Sequence, residues 1–192
     1  SNAIEIFIAR EANIPFTFLK RLIIEVNIKM DSKKLSHFNE HGEAHMVDVG
    51  SKAVTNRKAI ASGKIFMNKQ AFETMLAGKI EKGDVLSVAR LAAIQGSKQT
   101  SFLIPLCHPI SISHIDIEFK NCPSSLSIEL VVTCLSEGKT GVEMEALTAA
   151  SIGLLTIYDM GKSIDKSMRI GEICLLLKDG GKSGRWERPQ VF

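Results

Sequence analysis

The stretch KTGVEMEALTAASIGLLTIYDMGKSIDK, from Lys139 to Lys166, constrains this chain more than any other. Met144, Leu147, Ser151, Leu154 and Tyr158 recur at steps of three and four, which places an apolar stripe along a long helix. Ala149, Ala150 and Gly153 are small enough to allow close approach beside it. Such a helix has to be packed. Its entry carries Glu143 and Glu145 behind the loop from Gly138 to Gly141, and its exit carries Asp159 and Lys162 beside the helix-weakening Gly161. Each charge has an ordinary account: acids suit a first helical turn, and Asp159 with Lys162 is an i,i+3 surface pair. Glu143 and Glu145 are harder to explain together. They are two residues apart, about 200° around a helix, so they cannot serve one site from one helix face. Either the helix begins after them or they face different surroundings.

Composition narrows the class. A chain of 192 residues with 45% hydrophobic content can bury one good core. Its net charge of +3 supplies no nucleic-acid stripe, although local lysine clusters could still bind an anionic metabolite. Cys107, Cys122, Cys134 and Cys174 are widely spaced, without a C-x-x-C pair, which fits reduced thiols in a cytoplasmic protein. Ser1, Asn2 and Ala3 read as a remnant of recombinant expression. Residues 4–29 are apolar but interrupted by Glu5, Arg10, Glu11, Lys20, Arg21 and Glu25, so neither a membrane span nor a signal peptide is expected. Residues 4–29 are therefore read as an amino-terminal extension dispensable for activity. The last residues, from Arg185 to Phe192, show no clear pattern.

Within the domain, HMVDVGSKA and NRKAIASGKIFMN read as two short strand candidates, and NKQAFETMLAG as a helix stopped by Gly78. Asp84 is placed to cap a second helix with Val85, Val88, Leu91 and Ala92 as its apolar face. Lys82 stands just ahead of it. In FLIPLCHPI, Pro105 and Pro109 bias their predecessors towards extended backbone and so hold His108 on a stiff run. Cys107 points away from His108 there, which argues against a Cys–His nucleophilic pair. Alternation at Ile115, Ile117 and Phe119, and again from Leu126 to Cys134, predicts an antiparallel strand pair joined by NCPSS. IGEICLLLKDGG supplies a last strand. Long helices with an antiparallel pair make an α+β sandwich of helices on one mainly antiparallel sheet.

Two motif tests fail. GKT at Gly138 and GKS at Gly181 invite a phosphate-loop reading, but the required upstream glycine positions hold Thr133 and Leu176. What survives is weaker: glycines beside Lys139, Lys178 and Lys182 could offer amides and ammonium groups to phosphate oxygens. His37, His41 and His45 are spaced for one helix face, yet Gly42 and its polar neighbours read as loop, so no metal site is expected.

The blocks AHMVDV, KGDVLSVAR, IPLCHP, KTGVEMEALTAAS, LTIYDMGK and DGGKSG, in that order, resemble the molybdenum cofactor biosynthesis protein C family, the cyclic pyranopterin monophosphate synthases. The resemblance spans roughly Leu35 to Gly184 and implies a catalytic domain over residues 35–184, with 1–34 an expression remnant and amino-terminal extension and 185–192 a tail. It implies a ferredoxin-like subunit, a homohexamer built as a trimer of dimers, and active sites shared across a dimer interface. The implied substrate is the cyclised dihydroguanosine triphosphate, rearranged to a pyranopterin with a cyclic phosphate while pyrophosphate leaves. By the same resemblance Asp159 and Lys162 form the acid–base centre with Lys82 as a second catalytic lysine. Leu106, Cys107 and His108 line the substrate, Met144 and Glu145 contact it, and Asp48, Arg90, Glu143, Lys178 and Lys182 surround it. One departure is Gly161, where the family often carries another small residue such as cysteine. The chemistry calls for no cofactor, although Mg²⁺ could accompany the triphosphate, and no nucleic acid or membrane partner is implied. The competing reading is a non-catalytic purine-nucleotide-binding oligomer; a third, a metal-dependent hydrolase using the amino-terminal histidines, requires chelators to stop activity.

Overall fold

The structure is a computed structural model and describes residues 41–78 and 83–189. Residues 4–29, the expected boundary at Leu35, His37 and Lys82 lie outside the described residues. From Met46 onward the described residues form one compact unit. Its elements are β1 (Thr55–Phe66), α1 (Lys69–Leu76), α2 (Val85–Lys98), α3 (Thr100–Leu103), β2 (Ile112–Cys122), β3 (Ser127–Gly138), α4 (Glu143–Gly161), β4 (Arg169–Asp179) and β5 (Trp186–Glu187). The sheet order is β2-β3-β1-β4-β5 with every neighbouring pair antiparallel. This is the α+β, ferredoxin-like arrangement, with helices on one sheet.

Two strand expectations change. HMVDVGSKA is not a strand, because Asp48 accepts the Gly50 N–H at 2.7 Å and folds the segment into a turn. The second candidate, read as a short strand within residues 56–68, is a continuous strand of 12 residues at the centre of the sheet, pairing with β3 from Thr55↔Gly138 to Phe66↔Ser127 and with β4 on its other edge. The tail after Gly184, patternless as sequence, adds β5 through Leu177↔Glu187 and Lys178↔Trp186. The β2–β3 hairpin stands where expected, closed by the turn Pro123–Ser125.

Helix termini follow the residues read for them. Asp84 caps α2 by accepting from Leu86 and Ser87 N–H, both at 3.1 Å, and Asn68 caps α1 from Ala71 N–H at 2.9 Å. Gly78, at φ +62, follows α1 in the left-handed conformation that glycine adopts without strain.

The faces the helices bury are only partly the expected ones: Val85 and Leu154 are buried and Leu147 and Tyr158 pack against the core, but the rest differs. On α2, Val85, Ala89, Ala93, Gly96 and Ser97 are buried, while Leu91 is 68% and Val88 41% exposed. On α4 the buried face runs through Ala146, Ala149, Ala150, Gly153, Leu154, Ile157 and Gly161, and Met144 is 36% exposed. The reason is interhelical distance. A Cβ on Gly153 would lie 2.5 Å from Leu130 Cδ2 and 3.3 Å from Ala93 Cβ, and one on Gly96 would lie 2.9 Å from Ile152. Small residues let α2 and α4 lie against each other and against Leu130 and Val132, so the larger side chains turn outward. On the opposite sheet face, a groove of about 1080 Å³ is lined by Ile60, Ser62, Cys174 and Leu177 among others.

Candidate active site

The carboxyl ends of β3 and β4 and the start of β1 meet because β1 lies between the other two. Thr55 is opposite Gly138, Lys58 opposite Asp179, and Ala59 opposite Lys178. At this corner opens a cleft of about 390 Å³ lined by Lys52, Arg57, Lys139, Lys178 and Lys182, with Glu143 and Asp179 as its acids. Five cationic groups against two carboxylates make the cleft a receptor for a polyanion. Glycine is required in its wall. Gly180 and Gly181 lie at φ +99 and +73, and a Cβ on Gly180 would come within 2.0 Å of the Asn56 carbonyl oxygen. A Cβ on Gly181 would occupy the position of the Arg57 guanidinium, whose Nε donates to the Gly138 carbonyl at 3.2 Å.

Lys178 approaches Glu143 at 3.8 Å and donates to the Ser183 hydroxyl, and Lys139 donates to the Gly50 carbonyl at 2.5 Å. A Cβ on Gly141 would run into the Glu143 carboxylate, so the absence of a side chain there lets that acid fold back over the cleft mouth.

The two glutamates of α4 divide as the 200° separation demands. The helix starts at Glu143, and both acids lie in its first turn facing different surroundings. Glu145 is 3% exposed and its Oε2 has no hydrogen-bond partner. Burial, opposed by its own backbone N–H and assisted by the charge of Glu143, pushes its carboxyl up to about 7. The Cys107 and Cys134 thiols both feel this carboxylate; burial first and Glu145 second push Cys134 up to about 12 and raise Cys107. Neither thiol is a ready nucleophile. His108, next to Cys107, is fixed by a 2.8 Å bond from Nε2 to the Val47 carbonyl.

The far end of α4 is built differently. Lys162 is the residue after its last turn, its N–H bonded to the Tyr158 carbonyl at 2.9 Å, and its Nζ lies 2.6 Å from Asp159 Oδ1. Both side chains are more than half exposed. The bond to Asp159 and its charge hold the Lys162 ammonium above lysine's ordinary value. The loop that follows is anchored. Asp165, 5% exposed, accepts the Asn68 N–H at 2.7 Å and the Ser167 hydroxyl and N–H at 2.6 and 2.8 Å. These bonds, the Ser167 hydroxyl first, hold its carboxyl below the usual range. Tyr158 adds a 3.1 Å bond from its hydroxyl to the Lys166 carbonyl.

Most of the described residues that the sequence pointed to fall into two groups. Glu143, Lys178 and Lys182 share the cationic cleft, and Met144, Glu145, Cys107, His108 and Asp48 belong to its end of α4 and the segments beside it. Asp159 and Lys162 stand at the other end. Nineteen helical residues at about 1.5 Å each separate the two by roughly 28 Å, further than one nucleoside triphosphate spans. Arg90 belongs to neither group: it donates to the Ile117 carbonyl and lies 5.4 Å over the Phe119 ring. Leu106 is half-buried just ahead of Cys107. Lys52, Arg57, Asp179 and the anchoring Asp165 were not selected from sequence, since only strand register and loop closure bring them to these places.

Among the described residues no group of three or more His, Cys, Asp or Glu is arranged to hold a metal ion. No helix of the described residues is long and apolar enough to cross a membrane.

The chain is similar to known proteins along most of its length. The MoaC family model matches residues 46–181. A protein of Chloroflexus aurantiacus named cyclic pyranopterin monophosphate synthase is 50% identical over 157 residues, covering 82% of this chain and 96% of that one. A protein of the same name from Campylobacter lari is 54% identical over 154 residues, 80% of this chain and 98% of that one. Its namesake in Campylobacter jejuni is 52% identical over 155 residues, with coverage of 81% and 99%.

Proposed function

The chain belongs to the MoaC family, and from that premise we propose that it is a cyclic pyranopterin monophosphate synthase of molybdenum cofactor biosynthesis. Its substrate in this reading is the cyclised dihydroguanosine triphosphate. Forming a cyclic phosphate while pyrophosphate leaves means that a hydroxyl of the same molecule attacks the α-phosphorus and the bond to the bridging oxygen breaks. Negative charge accumulates on the departing pyrophosphate. The cleft of Lys52, Arg57, Lys139, Lys178 and Lys182 is suited to stabilise that charge, which a Mg²⁺ ion could share.

The observation that carries the proposal is the division of charged groups between the two ends of α4. A site needing both the polyanion receptor and the Asp159–Lys162 pair has to combine the cleft of one copy with the helix exit of another. This supports a homo-oligomer with shared active sites, the trimer of dimers implied by the family. Exposed Phe102, Leu91 and Leu155 on the helix layer supply apolar surface for assembly.

In a single chain Lys162 is an ammonium held by Asp159, and Asp159 orients it. The cations of a second copy's cleft oppose the raised value and move Lys162 towards a group that exchanges protons near neutral pH. Lys82 is the second amine of this acid–base set. The test is pyrophosphate release from the cyclised substrate by the purified chain, followed with formation of the cyclic phosphate. Binding of the substrate without release would instead make the chain a nucleotide-binding oligomer.

A further inference from the structure

Lys52 lies in no helix or strand, yet it lines the cleft. What holds it there is a short segment, 46–52, tied at three places. The Val47 carbonyl accepts from His108 Nε2 at 2.8 Å. The Gly50 N–H donates to Asp48 Oδ1 at 2.7 Å, closing a turn continued by the Lys52 N–H to the Val49 carbonyl at 3.1 Å. The Gly50 carbonyl, turned outward by that bend, accepts from Lys139 Nζ at 2.5 Å. A Cβ on Gly50 would stand 3.0 Å from Asp48 Oδ1, so the turn is drawn tightly around the carboxylate.

We propose that His108 and Asp48 are positioning residues that strap the 46–52 segment in place and present Lys52 to the phosphates in the cationic cleft. The inference rests on the cleft's assignment to the triphosphate. A carbonyl oxygen can only accept, so His108 Nε2 is committed to Val47 as a donor, and only Nδ1 remains for another partner. Asp48 Oδ1 is similarly occupied by the turn it closes. Through these two atoms both side chains fix the position of Lys52. Losing either tie frees the segment to sample other conformations, and binding must then pay the ordering cost that the straps now remove.

The test uses inorganic triphosphate as the probe, because it has neither base nor sugar for His108 to touch. Its affinity is measured by calorimetry on the full chain at fixed low salt, with His108→Ala, Asp48→Ala, Lys52→Ala, the two doubles containing Lys52→Ala, and Lys178→Ala. Each of the first three variants should weaken binding by about fivefold, and each double should be no weaker than Lys52→Ala alone. His108→Gln, whose amide can donate to Val47, should recover most of the loss. Trypsin should cut after Lys52 faster in His108→Ala and Asp48→Ala than in the parent, with the remaining fragments resistant. Multiplying losses in the doubles, about 25-fold together, or a wild-type affinity for both single variants, would overturn the straps while Lys178→Ala still weakens binding. If Lys178→Ala also binds like the parent, the cleft is not the phosphate site and the inference falls with it.

Discussion

The two ends of α4 solve opposite problems. At its amino-terminal end, positive side chains from separate segments converge where β1, β3 and β4 terminate, and backbone rigidity comes from glycines that tolerate no side chain. At its carboxy-terminal end one local pair, Asp159 and Lys162, stands in solvent, held by the anchored loop behind it. The first end is built to bind a fixed charge distribution; the second presents one amine and one carboxylate outward. The contrast is what supports the proposal that a single copy holds two half-sites and no whole one.

The sharpest way to break this division is Lys162→Ala. It should lower pyrophosphate release by about a thousandfold, with affinity for inorganic triphosphate, fold and assembly unchanged, because it touches only the end proposed to transfer protons. Equal losses in turnover and triphosphate affinity would merge the two ends into one function. Lys178→Ala should do the reverse. Substrate affinity should fall by roughly 10- to 100-fold, and the salt dependence of binding should become shallower, while turnover at saturation changes less.

Gly181→Ala sharpens the comparison from the backbone side. At φ +73, with the Arg57 guanidinium where its Cβ would stand, the substitution should destabilise the chain by about 1–3 kcal/mol and displace Arg57 from the cleft. Thermal melts and triphosphate titration read both effects. The corresponding change at the other end is milder. Gly161→Ala meets the flexible tips of Met75, at 2.1 Å, and Met168, at 3.1 Å, so it should leave turnover within about twofold.

Glu145 gives a pH signature confined to the cleft end. Its carboxyl is raised from 4.5 to about 7, so between these values the folded chain holds more protons than the unfolded one. Stability should therefore fall as pH rises through that window and level off above it, by about 3 kcal/mol at most. Glu145→Gln should flatten that slope in denaturant titrations at pH 5 and pH 8 and be the more stable chain at pH 8. An unchanged slope would mean that Glu145 is not the group responsible.

Much of this was legible in the residues. The β2–β3 hairpin, the Asp84 cap, the long helix with Glu143 and Glu145 facing apart, and the Asp159–Lys162 pair all follow from local rules. The helix faces followed only in part. Hydrophobic periodicity weights large side chains, but here Ala89, Ala93, Gly96, Ala149 and Gly153 form the contact and Leu91 and Met144 face outward. Lys52 and Arg57 escaped for a different reason. They stand far along the chain from Lys139 and Lys178; the register of β1 between β3 and β4 brings Arg57 to them, and the tied turn at Gly50 brings Lys52. The length of α4 did contain the deepest clue, since a helix that long cannot bring its own two ends to one substrate.

The most direct test of shared half-sites is complementation. Lys162→Ala and Lys178→Ala chains, each defective alone, are unfolded together, refolded as an equal mixture and assayed for pyrophosphate release at limiting substrate. If every site draws its amine from one copy and its cationic cleft from another, random assembly restores about a quarter of parental activity. Activity no greater than the average of the two separate preparations, in a mixture shown by mass to contain both chains in each particle, would contradict the account.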